Sequence, residues 1–227
     1  MILFLHGLIG TPRHWTRTIR ALPSDLSASV FSPDLDYKSH AISDHLERLR
    51  LSLPARGPLT IVGNSLGCVL ALGLQDRADH LVLTAPPHDF DADPIGLRRD
   101  NMAQYIDQLY QDKSSIADFD QHHHEALLIL RSLLKDRHGL RQIRRLKKAC
   151  QALPDDPNLP KAQDRTTFVI GAQDFTTPEP AFRRFMKIRT PKAQLYVAPK
   201  CGHAIPLEQP ELLARVITRA ASLNPAL

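Results

Sequence analysis

The chain predicts an α/β fold: a mostly parallel six-stranded sheet in the order 2-1-3-4-5-6, with helices on both faces and an inserted helical cap. Three observations predict it. Short apolar or β-branched runs alternate with amphipathic stretches over most of the sequence. One such run, Leu59-Thr60-Ile61-Val62, leads straight into Gly63-Asn64-Ser65-Leu66-Gly67 and then the helical Cys68-Val69-Leu70-Ala71-Leu72. From about 89 to 163 the alternation stops, and only helical patterns and polar connections remain.

The expected strands are Ile2–Leu5, Ser29–Ser32, Leu59–Val62, Leu81–Thr84, Thr167–Ile170 and Gln194–Val197. Strand alternating with helix implies a parallel sheet covered on both faces. Met1–Leu5 has no basic segment ahead of it and is interrupted by His6-Gly7, so it reads as a buried strand rather than a targeting segment. Helical periodicity falls at 13–22, 42–53, 66–77, 178–187 and 208–222. Right-handed crossovers then place Ser65 after the third strand, near the point where the winding reverses.

Within 89–163, Gly96–Gln111 and Glu125–Leu134 read as helices, and Leu140, Ile143, Leu146 and Cys150 share one face of a third. The proline-rich Leu153–Pro160 ends the pattern. The stretch falls between strands of one sheet, so a cap over 89–163, inserted in a core of 1–88 and 164–227, is the expected organisation.

A chain of 227 residues, 43% apolar and 23% charged, suffices for one ordinary domain with a sizeable core. Three scattered cysteines (Cys68, Cys150 and Cys201) form neither a disulfide framework nor a zinc spacing, which favours a reducing, cytoplasmic setting. No apolar run approaches the roughly 20 residues of a membrane-spanning helix. The formal charge is +5, and Arg137, Arg141, Arg144, Arg145, Lys147 and Lys148 crowd together. That cluster reads as a solvated helix face, with a dock for an acidic partner such as an acyl carrier protein as the alternative. Without aromatic interleaving it does not read as a nucleic-acid surface. His122-His123-His124 are adjacent positions about 100° apart on a helix, so they read as an exposed cap face rather than a metal site.

Ser65 is the candidate nucleophile, because a sharp strand-to-helix turn lifts its hydroxyl to the C-terminal edge of a sheet. A serine also needs a base, and the base needs a group to fix its tautomer. The strand Thr167–Ile170 runs into Gly171-Ala172-Gln173-Asp174, and Leu195-Tyr196-Val197-Ala198 is followed by Cys201-Gly202-His203. Three strand ends thus deliver Ser65, Asp174 and His203 to one edge. Asp174 could instead be a helix N-cap.

These residues, in this chain order, resemble the α/β-hydrolase fold family over nearly the whole chain. The marks are Gly-Asn-Ser-Leu-Gly around Ser65, Gly-Ala-Gln-Asp at Asp174, Gly-His-Ala-Ile-Pro at His203, and Leu5-His6-Gly7-Leu8 after the first strand. The resemblance implies an oxyanion hole from the backbone amides of Leu8 and Leu66. It places His6 and Trp15 at the substrate pocket, His6 chiefly as a buttress of the oxyanion loop and Trp15 as pocket wall or core. In some relatives the acid follows the preceding strand, which here points to Asp89 or Asp91. The family usually carries two strands ahead of the His-Gly strand and a Pro-Gly-x-Gly-x-Ser turn. Here Ser29–Ser32 is left as an expected sheet edge, and Pro33-Asp34-Leu35-Asp36-Tyr37-Lys38-Ser39 stands in place of the turn. The implied activity is hydrolysis of a small-molecule carboxylic ester or thioester through an acyl-enzyme, with no metal or cofactor. An acyl group on a docked carrier protein, a lyase use of the triad, and a ligand-binding protein without catalysis are the alternatives.

Overall fold

Six strands pair in parallel in the order β2-β1-β3-β4-β5-β6. They are β1 (Ile2–Leu5), β2 (Val30–Phe31), β3 (Thr60–Asn64), β4 (His80–Thr84), β5 (Thr166–Gly171) and β6 (Gln194–Ala198). The computed structural model describes residues 1–55, 57–87 and 100–223. Register matches Leu5 with Gly63, Asn64 with Thr84 and Gly171 with Ala198, which brings the C-terminal strand ends to one sheet edge. The expected sheet order holds. β2 is an edge strand as expected, but only two residues of Ser29–Ser32 pair.

Among the described residues, eleven α-helices accompany the strands: α1 (Thr16–Arg20), α2 (Ser24–Ser27), α3 (Ile42–Ser52), α4 (Gly67–Gly73), α5 (Met102–Gln108), α6 (Phe119–Lys135), α7 (Arg137–Ala152), α8 (Asn158–Lys161), α9 (Glu179–Arg189), α10 (Ile205–Glu208) and α11 (Pro210–Ser222). The stretch expected at 208–222 is split in two, because Pro210 has no N–H to continue α10. One turn of helix, α8, forms inside the connection expected to be irregular.

The pleat sorts the core. Leu3, Leu5, Ile61, Leu81, Phe168 and Ile170 pack on one face with Leu70 of α4 and Phe182 of α9. Ile2, Phe4, Val62, Val82 and Val169 pack on the other with Leu213 and Ile217 of α11. Alternate residues of each strand face opposite layers, so the central strands are buried on both sides, while β2 and β6 at the two edges are only partly covered. A third cluster joins Ile106 and Leu109 to Ala126 and Leu130 of α6 and to Leu207 of α10, seating the helical segment on the sheet edge that carries Ser65. No helix among the described residues is long and apolar enough to cross a membrane.

α6 begins six residues before the expected Glu125–Leu134, and this changes the reading of the histidines. His122 falls on the buried stripe of His122, Ala126, Leu130 and Leu133, packed edge-on against His14 at 5.0 Å. The expectation of an exposed triple histidine is therefore corrected: His122 is inside, His123 points at Asp107 (3.4 Å), and His124 is exposed. On α7, Arg137, Arg141, Arg144, Arg145, Lys147 and Lys148 are exposed, whereas Leu146 and Cys150 are buried.

Candidate active site

Ser65 follows β3 with φ +52°, in the left-handed region that a side-chain-bearing residue occupies at a cost of about 1–3 kcal/mol. The surroundings leave it no alternative. A Cβ at Gly63 would stand 2.6 Å from Gly67 O, and one at Gly67 would overlap Leu5 O of β1. Ser65 N donates to Thr84 O of β4 at 2.9 Å, and Cys68 N donates to Ser65 O at 2.9 Å. The turn is locked by backbone against backbone.

Asp174 and His203 meet where β5 and β6 end. His203 Nδ1 lies 2.8 Å from Asp174 Oδ2. Thr176, which the sequence reading passed over, stands between them. Its N–H and its hydroxyl both donate to Asp174 Oδ1 at 2.8 Å, and its hydroxyl oxygen is 2.8 Å from His203 Nδ1. A hydroxyl that gives its one proton to Asp174 accepts from Nδ1–H, so the network fixes the Nδ1–H tautomer and leaves the Nε2 lone pair unprotonated. Aspartate bonding the backbone two residues on is an Asx turn, a local signal that was readable in Asp174-Phe175-Thr176.

Burial alone would push the Asp174 carboxyl up. The charge and hydrogen bond of His203 and the bonds from Thr176 outweigh it and hold Asp174 below its ordinary range. Burial alone would lower His203; the charge and hydrogen bond of Asp174, with a smaller contribution from Glu208, raise it instead.

Ser65 and His203 line the same cavity, of about 370 Å³. Leu8 and Leu66 line it too, and neither backbone amide has an acceptor among the described residues. Leu130 and Leu134 of α6 and Ile143, Leu146 and Cys150 of α7 make the far wall apolar.

Two expected pocket residues do not line it. Trp15 is fully buried in the sheet core, its indole 5.0 Å from the Phe4 ring. His6 is buried at the start of the loop after β1: Leu35 N donates to its Nε2 at 3.1 Å, and Nδ1 is 2.9 Å from Gly7 O. With Nε2 accepting, Nδ1 carries the proton and donates to Gly7, so both ring nitrogens are occupied by backbone. Burial lowers its affinity for a further proton. The Tyr37 hydroxyl donates to His6 O at 2.7 Å, bracing the same loop. Cys201 is buried, and burial pushes its thiol up, so it packs rather than reacts. Asp89 and Asp91, the alternative acids, lie outside the described residues.

A profile of the alpha/beta hydrolase family matches residues 2–216, and the chain belongs to that family. The Probable lysophospholipase BODYGUARD 4 of Arabidopsis thaliana is 28% identical over 103 residues, which cover 38% of this chain and 25% of that protein. BODYGUARD 1 of the same plant is 29% identical over 106 residues, covering 38% and 23%. The chain thus spans about a quarter of the length of these curated relatives. Among solved structures, a membrane phospholipase A described as a bacterial virulence factor superposes with a TM-score of 0.75 at 16% identity, covering 100% of this chain and 79% of that one. A meta-cleavage product hydrolase from Pseudomonas fluorescens superposes with 0.70 at 19% identity, covering 98% and 90%. At these identities the likeness is one of fold.

Proposed function

We propose that the chain is a serine hydrolase that cleaves a carboxylic ester or thioester with an apolar acyl portion. The observation that carries this reading is the shared cavity: Ser65 on its strained turn and His203, tied to the buried Asp174, line one chamber. Family membership and the hydrolase names of the similar proteins support it.

His203 Nε2 takes the Ser65 proton as Oγ attacks the carbonyl, and the resulting oxyanion is held by the amides of Leu8 and Leu66. Such donors contribute roughly 3–4 kcal/mol each. The imidazolium, stabilised by Asp174, then protonates the departing alkoxide or thiolate and leaves an acyl-Ser65. Water deprotonated by the same imidazole cleaves that intermediate, releasing the acid and returning the proton to Ser65. The segment 89–163 serves as a cap whose apolar α6 and α7 faces take the acyl chain. Three buried thiols are consistent with a reducing, cytoplasmic setting.

Ser65→Ala is expected to abolish hydrolysis of p-nitrophenyl esters of graded acyl length while leaving the circular dichroism spectrum unchanged. A fluorophosphonate probe is expected to label Ser65. Undiminished turnover by the variant, or labelling at another residue, removes Ser65 from the chemistry.

A further inference from the structure

Glu208 ends α10 and is buried, with 4% of its surface exposed. A carboxylate at that depth needs donors, and it has three backbone amides. Oε2 accepts from Gln111 N at 2.8 Å and Asp112 N at 3.0 Å, and Oε1 accepts from Gly202 N at 3.1 Å. The first two donors belong to the helical segment between β4 and β5. The third precedes His203, whose own N–H donates to Leu109 O at 2.8 Å. The approach excludes any side chain at 202, where a Cβ would stand 2.7 Å from Leu109 O and 3.2 Å from Glu208 Oε1. Leu109 and Tyr110, next to the amides that Glu208 holds, line the cavity with His203.

We propose that Glu208 is a positioning residue for the reaction, one buried carboxylate that fixes the His203 loop and the 109–112 cavity wall to each other. The inference rests on the reading of His203 as the base. Its consequence is double. The distance from base to acyl pocket is set by the Glu208 carboxylate together with the His203 N–H bond to Leu109 O, and a second negative charge stands near the imidazole in addition to Asp174. Among the described residues, the ionisable groups near His203 are Asp174 after β5, Glu208 on α10, the Cys201 thiol two residues before the histidine, and His14, Tyr105, Tyr110, Lys147 and Cys150 on the cavity wall. Asp174 and Glu208 favour the protonated imidazole. Burial pushes the Glu208 carboxyl up, and the backbone amides pull it only part of the way back. Glutamine cannot replace it, because its single oxygen serves one side and its amide N–H₂ meets backbone N–H on the other.

The test compares the full chain with Glu208→Gln and Glu208→Asp across pH, using short and long acyl esters, alongside thermal unfolding and an NMR titration of His203. For Glu208→Gln, kcat/KM is expected to fall about tenfold to a hundredfold, as displacements near 1 Å do. Long acyl chains should lose more than short ones, and both the acid limb of the profile and the His203 titration should move to lower pH. Glu208→Asp should lose kcat/KM with the acid limb unmoved, and it carries the test if the glutamine variant does not fold. A lowered Tm with wild-type kinetics and an unmoved His203 titration overturns the proposal. The NMR titration needs no turnover, so it decides the matter even if Ser65→Ala shows that the hydrolase reading itself is wrong.

Discussion

Ser65 and His203 line one cavity, yet they are held by different means. The Ser65 turn is fixed by backbone packing: a left-handed residue, two glycines with no room for a Cβ, one hydrogen bond to Thr84 O of β4 and one from Cys68 N within the turn. The His203 loop is also held by backbone, through Gly202 packed against Leu109 O and the His203 N–H bond to the same oxygen, but its imidazole is set by the side chains of Asp174 and Thr176, and Glu208 takes the preceding amide. Steric locking admits little adjustment without loss of the fold. Hydrogen-bonded support sets tautomer, proton affinity and distance separately, so under the proposed chemistry that side of the site can be tuned.

The comparison is broken most severely at Asp174. Asp174→Asn is expected to lower kcat/KM by roughly 10³–10⁴-fold with the fold intact, because the Nδ1–H tautomer loses its partner. The sign of its pH effect follows from the raised His203. In the wild type, activity should climb as pH rises through a value above the ordinary histidine value of about 6.5, and removal of the carboxylate moves that limb down. A loss below tenfold would disqualify Asp174 and turn attention to Asp89 and Asp91.

On the other side of the comparison, Gly67→Ala should act on stability before chemistry. Its Cβ overlaps Leu5 O, and we expect about 3 kcal/mol of destabilisation, measured by denaturant unfolding, with activity lost in proportion to the folded fraction. Wild-type stability would show that the turn is not sterically locked. The smallest effect sharpens the contrast at Thr176. Thr176→Val removes the hydroxyl's bonds to Asp174 and His203 but leaves the Asp174–His203 bond, so it should lower kcat/KM about fivefold to tenfold, a net cost of about 1–1.4 kcal/mol, and Thr176→Ser should restore it. Equal activity in all three would mean that Asp174 alone orients the imidazole.

The two regions also differed in how far the sequence revealed them. Gly63–Gly67 carries its own explanation, since the residues that lock the turn are neighbours, and the strand before it set its place in the sheet. Asp174 and His203 were legible for the same reason, each following its own apolar run. Thr176 was readable from local turn chemistry and was overlooked. Glu208 was not readable: its donors at 111 and 112 lie 97 and 96 positions away, and the helical pattern of Gly96–Gln111 does not say where the end of that helix packs. His122 was misplaced because α6 starts earlier than its apolar stripe; Trp15 was left between core and pocket wall, because a large ring beside a His-Gly loop suits either, and it lies in the core.

Trp15 is the single tryptophan of the chain, and it sits at 0% exposure against Phe4 on the sheet face packed by α11. Its emission therefore monitors the integrity of that layer rather than occupancy of the cavity. A shift in intrinsic fluorescence would mark melting of the sheet face, whereas ligand entry calls for a dye placed on α7.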